Sequence, residues 1–441
     1  MDRSSSLTPP NKKRRSSRLN ATPLRKQPMR SCRRRATEVN DQEDFSLAAA
    51  VLIQLLIFGQ VISSVISTSA CLDERIESKI LSLPKEIMVN ILILLPADVL
   101  YDIMRYLCFQ WYKIICDPVF IKAHLRRSSA AGLFIQYEKA PYNSFYVDTG
   151  MRDCKVMRIN FQISCQVWAS CDGLVLISDR CDRSILYIAN PITKQQVTLP
   201  PFKWSRDGYY FALARARSTG EYKVVGTYKE NNGFYCGILN VGKDRTWRTV
   251  DTQHISEDMQ RIFKYPPQST GGYVYWAIRM WSNLLTLDVE AEVLLEFPVP
   301  KPDMLGWEIW YMAMGNFLGC MFWDFKAVLV GVLDFEVLVL ADPKTGEWKN
   351  RYKFDLNGKR EMISLSLFKE AYPQTRLDLQ PVAWVNNGEV LVCTTYDRRC
   401  KSYIAHNVET GETYSFDLYK KNNHPFWCPH VNSLASLDLP K

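Results

Sequence analysis

VLVLADPKTGEWKN, residues 337–350, holds a strand, a tight turn and a second strand within 14 residues. Val337, Val339 and Ala341 alternate with Leu338 and Leu340, the period of two that an extended chain imposes on its side chains. Asp342-Pro343 suits the opening of a turn, and Gly346 can take the positive φ that closes it. The same grammar recurs in LYIANPITKQQVTL (186–199), CGILNVGKDRTWRTV (236–250), LLTLDVEAEVLLEF (284–297) and SYIAHNVETGETYSF (402–416). The turn residues Asn190, Asn240, Asp288, Asp342 and Asn407 fall 50, 48, 54 and 65 positions apart.

That spacing is near the period of kelch-like propeller blades, about 50 residues. Each quoted unit reads as the outer hairpin of one blade. The runs SCDGLVLIS (170–178), EYKVVGTY (221–228), GGYVYWAI (271–278), FLGCMFWD (317–324) and GEVLVCTT (388–395) read as inner strands. Five units are visible. Strands near 133–137 and 156–163, with VNSLASL (431–437) available to close the ring, would make a sixth. Closure removes exposed sheet edges, which invite aggregation. The expected fold is therefore mainly β, with a C-terminal kelch-like six-bladed β-propeller over 130–441. An open or sandwich-like β domain is the alternative.

Upstream the periodicity is helical. In LPKEIMVNILILLPADVLYDIMRYLCFQW (83–111), Pro84 suits a first helical turn, and Ile87, Ile91 and Leu95 make an apolar face. Pro96 interrupts it, Asp98 suits a new start, and Val99, Ile103 and Leu107 make a second face. A unit of about 30 residues cannot bury that much apolar surface alone and needs a partner. The stretch resembles the F-box, through Leu83-Pro84, Ile91-Leu92, Leu95-Pro96, Leu100 and Cys108…Trp111. IICDPVFIKAHLRRS (114–128) resembles the tail of plant F-box proteins, placing a small α-helical F-box at 78–127. The chain departs from the pattern at Leu94 and Phe109-Gln110, where basic residues are common in the family. Downstream, SCDGLVLIS, NPITK (190–194), EYKVVGTY, GYVYWA (272–277) and VNSLASL resemble, in that order, the plant F-box-associated domain.

The net charge of +9 is local. Residues 1–40 hold 12 Lys and Arg against 2 acidic residues, leaving 43 basic and 44 acidic residues elsewhere. Residues 1–44 read as a disordered basic tail, with KKRR (Lys12 to Arg15) and RRR (Arg33 to Arg35) as import-like runs. No nucleic-acid surface is expected beyond nonspecific tail contacts. The segment 45–72 is of open role. Its 45–70 stretch has 26 residues without a charge, long enough to span a bilayer. The arginines before it would, by the positive-inside rule, send an F-box across the membrane, which disfavours a tether. A helix packed on the downstream domain, or a stretch absent from the mature protein, are the other readings.

Thirteen scattered cysteines without a CxxC pair read as reduced thiols, and no metal or cofactor site is expected. Neither GxSxG, HExxH, GxxxxGK[ST] nor GxGxxG occurs, so no catalytic residues are assigned. What remains is a binding architecture. The resemblance implies a non-catalytic specificity subunit of a Skp–cullin–F-box ubiquitin ligase, nuclear or cytoplasmic, that joins a Skp-family adaptor, and through it a cullin, to an unknown protein substrate. It implies Leu83, Pro84, Ile91, Leu92, Leu95, Pro96, Leu100 and Trp111 as the adaptor-facing or F-box-supporting set. Aromatic residues often anchor interfaces, and Trp281, Trp310 and Tyr311, in less regular segments, are the candidate substrate-binding residues. Other tryptophans, such as Trp276 and Trp323, read as packing between blades. A non-ligase propeller scaffold is the competing function.

Overall fold

The chain divides into two units, Met1–Ser69 and Ala70–Lys441. The computed structural model describes residues 84–437 apart from 128–131, 138–142, 150–154, 162, 203–208, 232, 278–282, 301–306, 325–333, 357–378, 397–400 and 418–424. All of these lie in the second unit.

Four short helices open it: α1 (Lys85–Leu92), α2 (Ala97–Asp102), α3 (Phe109–Ile115) and α4 (Pro118–Arg127). Local chemistry sets each start. Pro84 and Pro96 precede α1 and α2, with Glu86 and Asp98 in the first turns, where the exposed N–H ends favour negative charge. Cys108 Sγ accepts from the Trp111 N–H at 3.4 Å, and Asp117 Oδ1 accepts from the Val119 N–H at 2.8 Å. The inward face of α1 is Met88, Ile91 and Leu92, while Ile87 is exposed. The second apolar face is Ala97, Leu100 and Met104, because α2 ends at Asp102 and a 3₁₀ turn (Met104–Tyr106) follows. Val99, Ile103 and Leu107, expected inside, are only half-buried. Buried His124 on α4 binds the Leu95 carbonyl at 2.8 Å, pinning α4 to the loop between α1 and α2.

The rest is a six-bladed β-propeller of four-stranded antiparallel sheets. Blade 1 contains β1 (Gly132–Tyr137), β2 (Ser144–Asp148) and β3 (Lys155–Ile159). Blade 2 is β4 (Cys165–Cys171), β5 (Leu174–Asp179), β6 (Leu186–Ala189) and β7 (Gln196–Thr198). Blade 3 is β8 (Tyr209–Arg215), β9 (Tyr222–Glu230), β10 (Gly233–Asn240) and β11 (Arg248–Thr249). Blade 4 is β12 (Gln268–Thr270), β13 (Tyr273–Trp276), β14 (Asn283–Asp288) and β15 (Val293–Pro298). Blade 5 is β16 (Trp307–Met314), β17 (Phe317–Asp324), β18 (Asp334–Asp342) and β19 (Glu347–Asp355). Blade 6 is β20 (Leu379–Val385), β21 (Val390–Tyr396), β22 (Lys401–Asn407) and β23 (Thr413–Asp417). The last strand, β24 (Pro425–His430), returns to pair antiparallel with β1, from Gly132↔His430 to Tyr137↔Pro425, and closes the ring.

Around the centre β24, β4, β8, β12, β16 and β20 neighbour one another in a closed circle. The runs expected as inner strands are therefore one position out: 170–178 covers the end of β4 and β5, and the other four lie on β9, β13, β17 and β21. Those second strands are sandwiched by blades on both sides, so they read as continuous apolar runs, as the fully buried Leu174-Val175-Leu176-Ile177 does. Ring closure is also one segment earlier than expected: 425–430 supplies the strand, and 431–437 lies beyond it in irregular backbone. Each of the six blade junctions holds its own apolar cluster. At roughly 1.5–3 kcal/mol per large side chain buried, these junctions hold the ring together.

Four of the five repeated turns share one chemistry, the exception being Asn240, whose backbone N–H donates to Asp244 Oδ2. The side-chain oxygens of Asn190, Asp288 and Asn407 each accept two N–H groups of the following turn, and Asp342 accepts that of Lys344. Gly346 then takes φ +76, and a Cβ there would stand 2.6 Å from the Phe297 ring.

Candidate functional site: an apolar face and a basic groove

Nine large apolar or aromatic side chains are exposed among the described residues, and six of them belong to the helical module. They are Ile87 on α1, Leu94 before α2, Tyr106 in the 3₁₀ turn, Phe109 and Tyr112 on α3, and Val119 on α4. Tyr106, Phe109 and Val119 are the most open, at 69 %, 70 % and 76 %. Single exposed apolar residues are ordinary, but six within residues 87–119 concentrate apolar exposure on this module. Two positive groups lean on these side chains: Lys113 Nζ lies 4.4 Å from the centre of the Phe109 ring, and the Arg105 guanidinium lies 4.5 Å from that of Tyr106.

Five of the eight residues of the sequence-derived adaptor set lie in the core of the same module instead. Ile91, Leu92, Leu95, Leu100 and Trp111 are buried, at 5 % or less. They face inward because a module this small must spend its regularly spaced leucines and its tryptophan on its own core. Pro84 and Pro96 are exposed, and Leu83 lies outside the described residues. None of the six exposed residues was among the candidates read from sequence; Leu94 and Phe109 stood out there only as departures from the basic residues common in the F-box pattern.

The helical module joins the propeller directly. Tyr101 Oη donates to the Thr193 carbonyl in the β6–β7 turn at 2.8 Å. Arg105 covers the Tyr101 ring at 3.4 Å and donates to Tyr106 Oη. Beside this contact lies a cleft of about 480 Å³, walled by α2–α4, Tyr222 and residues 434–436. Residues 431–437 are held there: Asn190 Nδ2 donates to the carbonyls of Ser433 and Ala435 at 3.1 and 2.7 Å. A second cleft of about 630 Å³ adjoins it over the turns of blades 2 to 5.

The candidate substrate residues fare differently. Trp281 lies outside the described residues. Trp310 and Tyr311, expected between strands and exposed, sit inside β16, which pairs along its whole length with β17. Tyr311 is 7 % exposed in the core between blades 4 and 5, where burial pushes its phenol above the usual range. Trp310 is half-buried and stacks on Trp323 at 6.0 Å. Both form part of the packing between blades, since a propeller's first strand is flanked by neighbouring blades. Trp276 and Trp323 are buried as well.

Among the described residues no group of three or more His, Cys, Asp or Glu is arranged to hold a metal ion. Burial pushes the thiols of Cys165 and Cys428 up to about 12, which keeps them protonated and poorly nucleophilic. No described helix is long and apolar enough to cross a membrane, and residues 45–70 lie outside the described residues.

Residues 129–410 match the family model of the F-box associated beta propeller domain. The F-box protein At3g07870 of Arabidopsis thaliana is 20 % identical over 399 residues, covering 81 % of this chain and 93 % of that protein. The F-box protein At5g49610 of the same plant is 21 % identical, covering 51 % of this chain and 66 % of its own length. The putative F-box protein At4g09190 is 27 % identical, covering 53 % and 63 %. Among solved structures, the putative TolB from Agrobacterium tumefaciens covers 66 % of this chain and 90 % of its own at 11 % identity and a TM-score of 0.32, too slight a likeness to argue from. With the family model spanning well over half of its length, the chain belongs to the plant F-box proteins that carry a C-terminal F-box associated beta propeller domain.

Proposed function

We propose that this chain is the substrate-recognition subunit of a Skp–cullin–F-box ubiquitin ligase, acting in the nucleus or cytoplasm. Residues 78–127 are the F-box and dock a Skp-family adaptor, which joins the chain to a cullin. Residues 130–441 form the receptor that holds a target protein. The observation that carries this reading is the concentration of exposed apolar side chains on the helical module, which holds six of the nine large ones exposed among the described residues. The match to F-box proteins along most of the chain supports it.

In this reading the chain makes and breaks no bonds. Tethering raises the effective concentration of target lysines near activated ubiquitin, which accounts for the acceleration. The contact between Tyr101 and Thr193 favours a receptor carried at a set angle on the F-box. The test is co-expression of the full chain with a plant Skp-family adaptor and a cullin, followed by capture through a tag on the cullin. Recovery of all three is expected. Capture of cullin and adaptor without the folded chain would contradict the reading and leave a non-ligase scaffold.

A further inference from the structure

The two adjoining clefts share Lys122, Arg215 and Gly220, and so make one groove between α4 and the blade turns. Its lining holds five basic side chains, Arg105, Lys122, Arg126, Arg215 and Arg217, against one acidic side chain, Asp172. Outside residues 1–40 the chain carries 43 basic and 44 acidic residues, so this groove is strongly biased against a near-neutral background.

The basic groups are held in place. Arg215 donates from Nε to the Gly220 carbonyl at 3.1 Å and meets Asp172 at 3.3 Å. Arg217 lies over the Tyr273 ring at 4.3 Å, donates to its hydroxyl at 2.5 Å and pairs through the same nitrogen with Asp288 at 3.6 Å. Both side chains stay accessible, at 32 % and 45 %. A guanidinium offers five N–H donors in a fixed fork, so these anchors leave donors for a carboxylate. Lys122 and Arg126 stand one turn apart on α4, both exposed, on the opposite wall. Phe317, 38 % exposed, adds an apolar contact at the far end.

We propose that this groove binds an extended acidic segment of a partner protein, its Asp and Glu carboxylates held by Lys122, Arg126, Arg215 and Arg217. The proposal rests on the receptor reading above and specifies what the receptor selects. Planar guanidinium groups set in a groove with walls on two sides suit an extended chain of carboxylates better than a broad polyanion.

The test is fluorescence anisotropy of labelled peptides titrated with the full chain. A Glu/Asp-rich peptide is expected to bind, and its Gln/Asn counterpart about tenfold more weakly or not at all. Lys122→Glu with Arg126→Glu, and the milder Lys122→Gln with Arg126→Gln, should each weaken the acidic peptide. Both sites are exposed, and circular dichroism checks the fold. Equal binding of the neutral peptide, unchanged affinity in both variants, or binding only of a phosphopeptide or an oligonucleotide would overturn the proposal. Adaptor binding is measured on the same preparations: adaptor bound without acidic peptide overturns the groove alone, and adaptor lost by the unmutated chain overturns the receptor reading.

Discussion

Phe109 and Trp111 stand two positions apart on α3 and meet opposite environments, 70 % and 1 % exposed. Truncating Trp111 to Ala empties a core site and should cost roughly 3–5 kcal/mol, whereas Phe109→Ala should stay within about 0.5 kcal/mol. Denaturant unfolding of the two variants checks this. The contrast explains why the exposed apolar residues were poorly legible: regular spacing of Leu, Pro and Trp reports what a helix buries, and residues left on the outside keep no period. A second residue-scale prediction concerns His430 on the closing strand. It is buried between the rings of Phe134 and Tyr146, each 5.8 Å away, and its Nδ1 lies 2.7 Å from Ser170 Oγ. Burial lowers its pKa from the ordinary 6.5 to about 4, so the fold prefers the neutral ring. Its contribution is complete above pH about 6.5 and is lost as pH falls toward 4, about 3 kcal/mol in total. His430→Gln should show a shallower loss of stability over that window than the unmutated protein; identical slopes would contradict the assignment.

At the level of elements, the turns were readable and the strand order was not. Asn190, Asp288, Asp342 and Asn407 were marked by what a turn requires, a short side chain that accepts the N–H groups ahead of it. The first strands of the blades carry no such requirement: β16, with the sequence WEIWYMAM, lacks β-branched alternation yet sits in the central circle. VNSLASL looked like a closing strand because it is apolar. It serves instead as the surface against which Asn190 spends its amide, so Asn190 makes four hydrogen bonds where Asn407 makes two to its turn. Asn190→Ala should therefore cost about 3 kcal/mol and Asn407→Ala about 1 kcal/mol. Thermal or urea unfolding that ranks them the other way would show that the 431–437 contact is not structural.

For the whole molecule, the near-50-residue period was enough to expect a ring, since sheets that each need two covered faces have few other solutions. Blade 1 is assembled from both ends of the domain, as expected, but the strand that pairs with β1 is β24 rather than 431–437. The ring then leaves two features that packing does not consume: an apolar face on the helices and a basic groove beside them. The first carries the central claim. Titration calorimetry of a plant Skp-family adaptor against the full chain, unmutated and with Tyr106→Asp plus Phe109→Asp, tests it most directly. Both positions are exposed, so the variant should keep its unfolding midpoint while losing about a hundredfold in affinity, on the order of 3 kcal/mol. A folded unmutated chain that gives no binding heat, or a variant that binds as tightly as the unmutated chain, would contradict the account.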